Sequence, residues 1–273
     1  MTTRFLGSIV GVILFGSFPS VHADYSVNFT APPYTLGQTV IGVDGWEQRT
    51  LDGPETDASL ETAPWDSSST ALKLYSTSTG NTSARRTRIG NRFSDVVEGV
   101  STARITMNLA FEWTNSASNT STVAFFNDGD SSTPSETNTP FTLGFAVNNT
   151  TGGLYLVDGN GTHNILSIAN MKQGALYSFV FELNFSTNTF AIAATGVDIN
   201  DDPFSFAQSN LAFRSDIDKI GSVYLFNNRG DIMTLYSESL AVQGIPEPGT
   251  AALAAGACVV ISLSMLRRRR TRS

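Results

Sequence analysis

The sequence predicts an all-β fold, an antiparallel β-sandwich, and three observations carry this prediction. Apolar residues alternate with polar ones along many segments, which is the period of a half-buried strand. Clusters of Gly, Asn, Asp, Ser and Pro separate these segments, as turns between strands do. Only 15% of the 273 residues are charged, well below the ~25% of an average soluble domain. This composition argues against a helical fold rich in Lys and Glu.

Eleven segments between residues 24 and 244 are rich in Val, Ile, Thr, Phe or Tyr and are predicted to be strands. They are, in order, 25–30, 71–75, 85–93, 102–113, 121–127, 141–147, 153–157, 176–185, 189–194, 220–227 and 234–242. Eleven strands in about 220 residues fit two stacked sheets.

The alternation is plainest in residues 102–113, where Ile105, Met107 and Leu109 are separated by polar residues and predict one buried face. The stretches 51–69 and 127–139 are polar instead. We predict that both are surface loops of one domain rather than linkers between two.

The first 23 residues predict a secretory signal peptide. Arg4 precedes an apolar run over residues 5–18, and Val21-His22-Ala23 has the small-residue pattern of a cleavage site. The run is shorter than the ~20 residues that a bilayer-spanning helix needs. We therefore expect residues 1–23 to be removed during export.

The C-terminal residues predict one transmembrane helix. Residues 249–266 carry no charge, and as a helix they would extend about 27 Å, close to the thickness of a hydrocarbon core. A basic cluster follows directly, formed by Arg267, Arg268, Arg269 and Arg270. Since such clusters stay in the cytoplasm, the chain that precedes the helix is expected outside.

The motif Pro246-Glu247-Pro248, followed by this apolar segment and the arginine cluster, resembles the PEP-CTERM sorting signal of bacteria. The resemblance implies that an exosortase, a membrane-embedded transpeptidase-like enzyme, recognises the tail and cleaves near the motif. It also implies delivery to the cell envelope or to an exopolysaccharide matrix. The predicted organisation is a signal peptide at 1–23, a body at 24–244 and a sorting signal at 245–273.

The body carries a second resemblance. Its opening segments, Phe-Thr-Ala-Pro-Pro-Tyr at 29–34 and Gly-Val-Asp-Gly-Trp at 42–46, are similar to those of concanavalin A-like, laminin-G-like jelly rolls. The hairpin at 176–192 looks like the back sheet of that fold, and 235–242 looks like its return beside the N-terminal strand. The resemblance implies a jelly-roll sandwich that binds glycans or has a structural role in an exopolysaccharide layer.

The net charge of the body limits the classes of partner that it can bind. Residues 24–247 hold 11 Lys and Arg against 24 Asp and Glu, a net charge of −13. A nucleic-acid-binding domain needs a basic face, so we expect no nucleic-acid partner. The body could bind cations or neutral glycans, whereas attraction to an anionic polymer would need a local basic patch or bridging cations.

Catalytic motifs are weak, and we predict that the protein is not an enzyme. Jelly-roll glycan hydrolases place paired carboxylates on one strand, and the nearest match, Glu55 to Glu61, has one residue too many. The carboxylates predicted on strands, Glu112 and Glu182, stand alone. A glycan-cleaving hydrolase of the same architecture is the alternative, and a ligand-free structural or adhesion module is the third hypothesis.

Two tryptophans are the candidate glycan-binding residues. Trp46 follows a turn and Trp65 lies in a Pro-flanked segment, where either ring could stack on a sugar or pack in the core, whereas Trp113 ends a buried face. Asp128 and Asp130 lie in an Asn-Asp-Gly-Asp-Ser segment that fits a calcium loop, because hard cations take oxygen ligands. The same residues are also good turn formers, so the sequence leaves calcium open.

Overall fold

The computed structural model describes residues 25–51, 58–75, 87–92, 101–114, 116–127, 139–149, 151–167, 170–227 and 233–245. These residues form fifteen strands. The first eight are β1 (Tyr25–Asn28), β2 (Trp46–Leu51), β3 (Ala58–Ala63), β4 (Asp66–Leu74), β5 (Thr87–Arg92), β6 (Thr102–Trp113), β7 (Ser116–Asn127) and β8 (Thr142–Asn149). The others are β9 (Thr151–Asp158), β10 (Gly161–Leu166), β11 (Leu176–Asn184), β12 (Thr189–Val197), β13 (Pro203–Ala212), β14 (Ser222–Asn227) and β15 (Met233–Ile245).

The strands form two antiparallel sheets, which confirms the predicted jelly-roll sandwich. The eight-stranded sheet has the order β13-β12-β11-β6-β15-β4-β3, with β1 also paired to β15. The seven-stranded sheet has the order β10-β9-β8-β7-β14-β5-β2. The described residues contain no helix.

The core lies between the sheets and is built by side-chain alternation. On β6, the side chains of Ala103, Ile105, Met107, Leu109 and Phe111 are all buried, as the sequence predicts. The ring of Phe181 on β11 stacks on Phe141, which directly precedes β8 in the opposite sheet, because strand residues at alternate positions point to one face. The two sheets therefore share one apolar layer.

The closing strand β15 occupies the middle of the eight-stranded sheet. It pairs with β6 along most of its length and returns beside the N-terminal strand, where Val242 faces Tyr25. This confirms the return that the sequence predicts. A buried amide ties the sheets together, since Nδ2 of Asn227 donates to the carbonyl oxygens of Leu74 at 3.0 Å and Met233 at 2.6 Å.

Four strands differ from the sequence prediction, and all four are edge strands. β2, β3, β10 and β13 end the two sheets, and none of them is among the eleven predicted strands. The stretch 51–69, predicted as a loop, contains β3 and the first half of β4, so that prediction is wrong. One edge of such a strand is open to solvent, so the strand tolerates polar residues and proline. The alternation of apolar and polar residues that predicts a strand is therefore weaker there.

The chain divides into two units. His22–Pro246 is one compact unit, and 1–21 with 247–273 make up the other. The predicted signal peptide, the motif Pro246-Glu247-Pro248, the apolar tail and the arginine cluster all lie outside the described residues. Among the residues that are described, no helix is long and apolar enough to cross a membrane.

Candidate functional site

The outer face of the eight-stranded sheet carries a cluster of aromatic and charged side chains around Trp65. Trp65, in the turn between β3 and β4, is half-buried and packs with Leu176 against the small apolar cluster of Ala63, Ala71, Ala110 and Tyr236. We define the Trp65 patch as Trp65, its neighbour Tyr236 and the side chains that interact with Tyr236 directly or through Lys73. It comprises Trp65, Tyr75, Tyr236, Lys73, Glu61 and Glu112.

The register of three strands assembles the patch. Tyr236 on β15 lies directly between Lys73 on β4 and Ala110 on β6. Glu112 follows two residues after Ala110 and therefore shares its face of the sheet. Residues that are far apart in the sequence thus meet on one outer surface.

Tyr236 and Lys73 form the polar centre of the patch. The hydroxyl of Tyr236 donates to Oε2 of Glu112 at 2.8 Å. The ammonium of Lys73 lies 4.5 Å from the ring centroid of Tyr75 and 6.0 Å from that of Tyr236, within the range of a cation–π interaction. The patch therefore offers an aromatic surface, a cationic donor and carboxylate acceptors side by side.

Burial raises the pKa of Tyr236 above its ordinary value, and its hydrogen bond to Glu112 raises this pKa further. A raised pKa in the folded state means that Tyr236 contributes stability below its unfolded pKa near 10, and that this contribution is lost as the pH rises above it.

We therefore expect the stability difference between the wild-type protein and Tyr236→Phe to shrink above pH ~10. Urea unfolding of both proteins at neutral pH and on both sides of pH ~10 measures this difference. Other buried tyrosines contribute equally to both proteins and cancel. A constant difference across this range would show that Tyr236 titrates like a free tyrosine.

Trp46 does not belong to the patch. Its side chain is fully buried at 0% exposure, with its ring centroid 5.8 Å from that of Phe29. The residue opposite it on β5, Asn91, is also buried. Both side chains therefore lie on the inner face of the seven-stranded sheet. The prediction that Trp46 stacks on a sugar is therefore wrong: the alternation of an edge strand turns this ring inward. Trp113 is buried in the core beside Phe145, as predicted.

The carboxylates on the described strands β3, β6 and β11 stand apart from one another. Glu61 and Glu112 lie on β3 and β6, three strand spacings and four residues apart, which is roughly 20 Å between backbones. Paired catalytic carboxyl groups lie about 5–9.5 Å apart. Glu182 is engaged by Arg104, whose Nη2 lies 2.6 Å from its Oε1. These positions give the glycan-cleaving alternative no support, and Glu55 lies outside the described residues.

The acidic loops that the structure describes are explained by turn chemistry. Oδ1 of Asp158 accepts hydrogen bonds from the amides of Asn160 at 2.8 Å and Gly161 at 2.9 Å. Oδ1 of Asp198 accepts in the same way from Asn200 and Asp202. Within the described ranges, no three His, Cys, Asp or Glu side chains gather as a metal site would require.

The calcium candidates Asp128 and Asp130 lie outside those ranges. Calcium binding at this pair therefore stays a prediction.

Comparisons with known proteins agree on the fold. No family model matches the chain, and no curated protein matches it. Among solved structures, the chain is similar to a PL-14 alginate lyase from Aplysia kurodai, with a TM-score of 0.52, 11% identity, and coverage of 82% of this chain and 100% of the lyase. It is also similar to a carbohydrate esterase from the Shiga toxin-encoding bacteriophage phi24B, with a TM-score of 0.50, 12% identity, and coverage of 82% and 99%. At these identities the likeness concerns the fold alone.

Sequence reasoning found Trp65 but missed most of its neighbours. Lys73 and Tyr236 lie on predicted strands, and alternation places each on the face opposite the buried Leu72, Leu74 and Leu235. That signal identifies outward-facing residues. It does not show that β4, β15 and β6 are neighbours, so the patch could be identified only from the strand order of the sheet.

Proposed function

We propose that the protein is an exported component of the cell surface or of an exopolysaccharide layer, and that it binds glycan at the Trp65 patch. The observation that carries this proposal is the half-buried indole of Trp65 packed in one cluster with Tyr236, whose ring faces Lys73 and whose hydroxyl binds Glu112. Aromatic faces stack on the apolar faces of sugar rings, while ammonium and carboxylate groups donate to and accept from sugar hydroxyls.

The fold supports this proposal by analogy. Two solved structures with the same sandwich are described as an alginate lyase and a carbohydrate esterase, so this architecture accommodates carbohydrate ligands. Since one fold hosts many functions, the residues of the site carry the proposal.

Export and sorting rest on the two ends of the sequence. The signal peptide at 1–23 and the PEP-CTERM-like tail at 245–273 support secretion followed by processing by an exosortase. The intact mass of the exported protein tests this: loss of residues 1–23 and of the chain after the Pro246-Glu247-Pro248 motif is expected. An exported chain that keeps its tail in a host with an active exosortase contradicts the sorting proposal.

Glycan binding is tested on the full chain with a glycan array, run with calcium and again with a chelator. We expect Trp65→Ala to weaken binding about ten-fold or more, because it removes the exposed aromatic surface. Trp65→Phe should retain part of the affinity, since it keeps a ring. The matched control is Ile199→Ala, which removes an apolar side chain that is 53% exposed outside the patch.

Four outcomes distinguish the hypotheses. Binding that Trp65→Ala leaves unchanged excludes the Trp65 patch. Binding that disappears only with the chelator favours a calcium-dependent site and directs attention to Asp128 and Asp130. Release of new reducing ends from a bound glycan favours the hydrolase, whereas no binding under any condition favours a purely structural module.

A further inference from the structure

A second feature lies on the same outer face of the eight-stranded sheet. It is a depression of about 360 Å³ on β11, β12 and β13. Val180, Ala193 and Ala207 form one row across it, because Val180 faces Ala193 and Ala193 faces Ala207. The depression exists because these side chains are short, while the longer side chains of Glu182 and Gln208 also line it.

The register places the depression on a diagonal from the Trp65 patch. Tyr236 at the centre of the patch lies three strand spacings from Ala193, and their rows are four residues apart along β6. These separations correspond to about 14 Å across the strands and about 13 Å along them, or roughly 20 Å in all.

A hydrogen-bonded polar strip lies halfway along this diagonal. Nδ2 of Asn108 donates to Oε2 of Glu238 at 2.8 Å and to Oγ of Ser239 at 3.1 Å. Oγ of Ser178 donates to Oδ1 of Asn108 at 2.6 Å. Asn108 faces Ser178 on one side and Ser239 on the other, two residues from the Tyr236 row and two from the Val180 row. The strip offers hydroxyl, amide and carboxylate groups between two less polar areas.

The charges along the diagonal favour an uncharged ligand. Glu182 beside the depression is paired with Arg104. Lys73 is the cation of the patch, against the carboxylates Glu61 and Glu112, and Glu238 adds another carboxylate in the strip. An anionic chain would meet an excess of negative charge here, on a body whose net charge is already −13. The hydroxyl groups of a neutral sugar, in contrast, can bind both the hydrogen-bond donors and the acceptors along the diagonal.

We propose that the ligand of the Trp65 patch is an uncharged polysaccharide chain that lies diagonally across this face, with the depression as its second subsite. This inference rests on the proposed glycan binding and adds the length, charge and path of the ligand. It predicts that affinity grows with chain length until the chain reaches from Trp65 to Ala193.

The test measures dissociation constants of the full chain for glucan, mannan and galactan oligosaccharides, from disaccharides to chains longer than the ~20 Å diagonal. Oligouronates of matched length form a separate series. We expect the long neutral chains to bind about ten-fold more tightly than the disaccharides, and the oligouronates to bind more weakly at low salt.

Ala193→Gln fills the depression from an exposed strand position, so folding should be preserved, and thermal unfolding checks this. It should reduce the affinity for long chains to that for disaccharides and leave disaccharide binding unchanged. The matched control is Ala146→Gln, the same change on the outer face of β8 in the other sheet, which should have no effect.

The outcomes separate this inference from the proposed function. Disaccharide binding that needs Trp65, but without any gain in affinity for longer chains, overturns the second subsite alone. Loss of long-chain binding in Ala146→Gln rather than Ala193→Gln overturns the path. Tighter binding of oligouronates overturns the uncharged ligand. Absence of binding in every series overturns the proposed function as well.

Discussion

Trp46→Ala should lower the free energy of unfolding by about 3–5 kcal/mol, the usual cost of removing a large buried aromatic side chain. The ring is fully buried, and it lies beside Phe29, the residue that directly follows β1. Alanine leaves a cavity that rigid strands close only in part. For a body of this size, the melting temperature should fall by roughly 10 °C.

Trp65→Ala is the matched control, since it makes the same change on the surface. We expect it to cost about 1 kcal/mol, because the ring is only half-buried and packs at the surface against a small cluster outside the main core. Urea unfolding of both variants measures the contrast. If the two variants lose equal stability, the assignment of Trp46 to the core and Trp65 to the surface is incorrect.

Phe181→Ala should also destabilise the protein by about 3–5 kcal/mol. Phe181 on β11 stacks on Phe141, with ring centroids 4.0 Å apart and planes 12° apart. Phe141 also contacts Phe190 on β12 at 5.1 Å. Since Phe141 directly precedes β8 in the opposite sheet, these three rings join the two layers of the sandwich.

Two further variants isolate the cause of this effect. Phe181→Leu keeps most of the apolar volume and should cost only about 1 kcal/mol. Phe204→Ala removes a partly buried ring from the edge strand β13 and should cost less than Phe181→Ala. Chemical denaturation measures all three, and a loss for Phe204→Ala that equals or exceeds that for Phe181→Ala would contradict the central role of the stack.

The pattern of correct and missed strands has a physical origin. Interior strands such as β6 and β11 bury one face against the opposite sheet and pair on both sides, so their apolar alternation is strong. The edge strand β3 has Ala58 and Leu60 on its buried face, and its other residues are polar except for Ala63 at its end. Its sequence resembles that of a loop because an edge strand has one side open to solvent, so fewer of its residues need to be apolar.

The two tryptophans show the limit of local reasoning. Trp46 and Trp65 both follow turn-forming residues, and their neighbours in the sequence look equally polar. Their fates differ because β2 turns Trp46 toward Phe29, whereas the turn between β3 and β4 leaves Trp65 above the outer face of the sheet. Burial of a single ring depends on contacts that are distant in the sequence.

The sequence by itself determined the all-β class, eleven of the fifteen strands and the inward face of residues 102–113, because alternation is a property of neighbouring residues. It also carries the two terminal signals on which the export proposal depends. Only the tertiary structure decided the edge strands, the burial of Trp46, and the meeting of Lys73, Glu112 and Tyr236. These features depend on strand order, which is set by the packing of the whole chain.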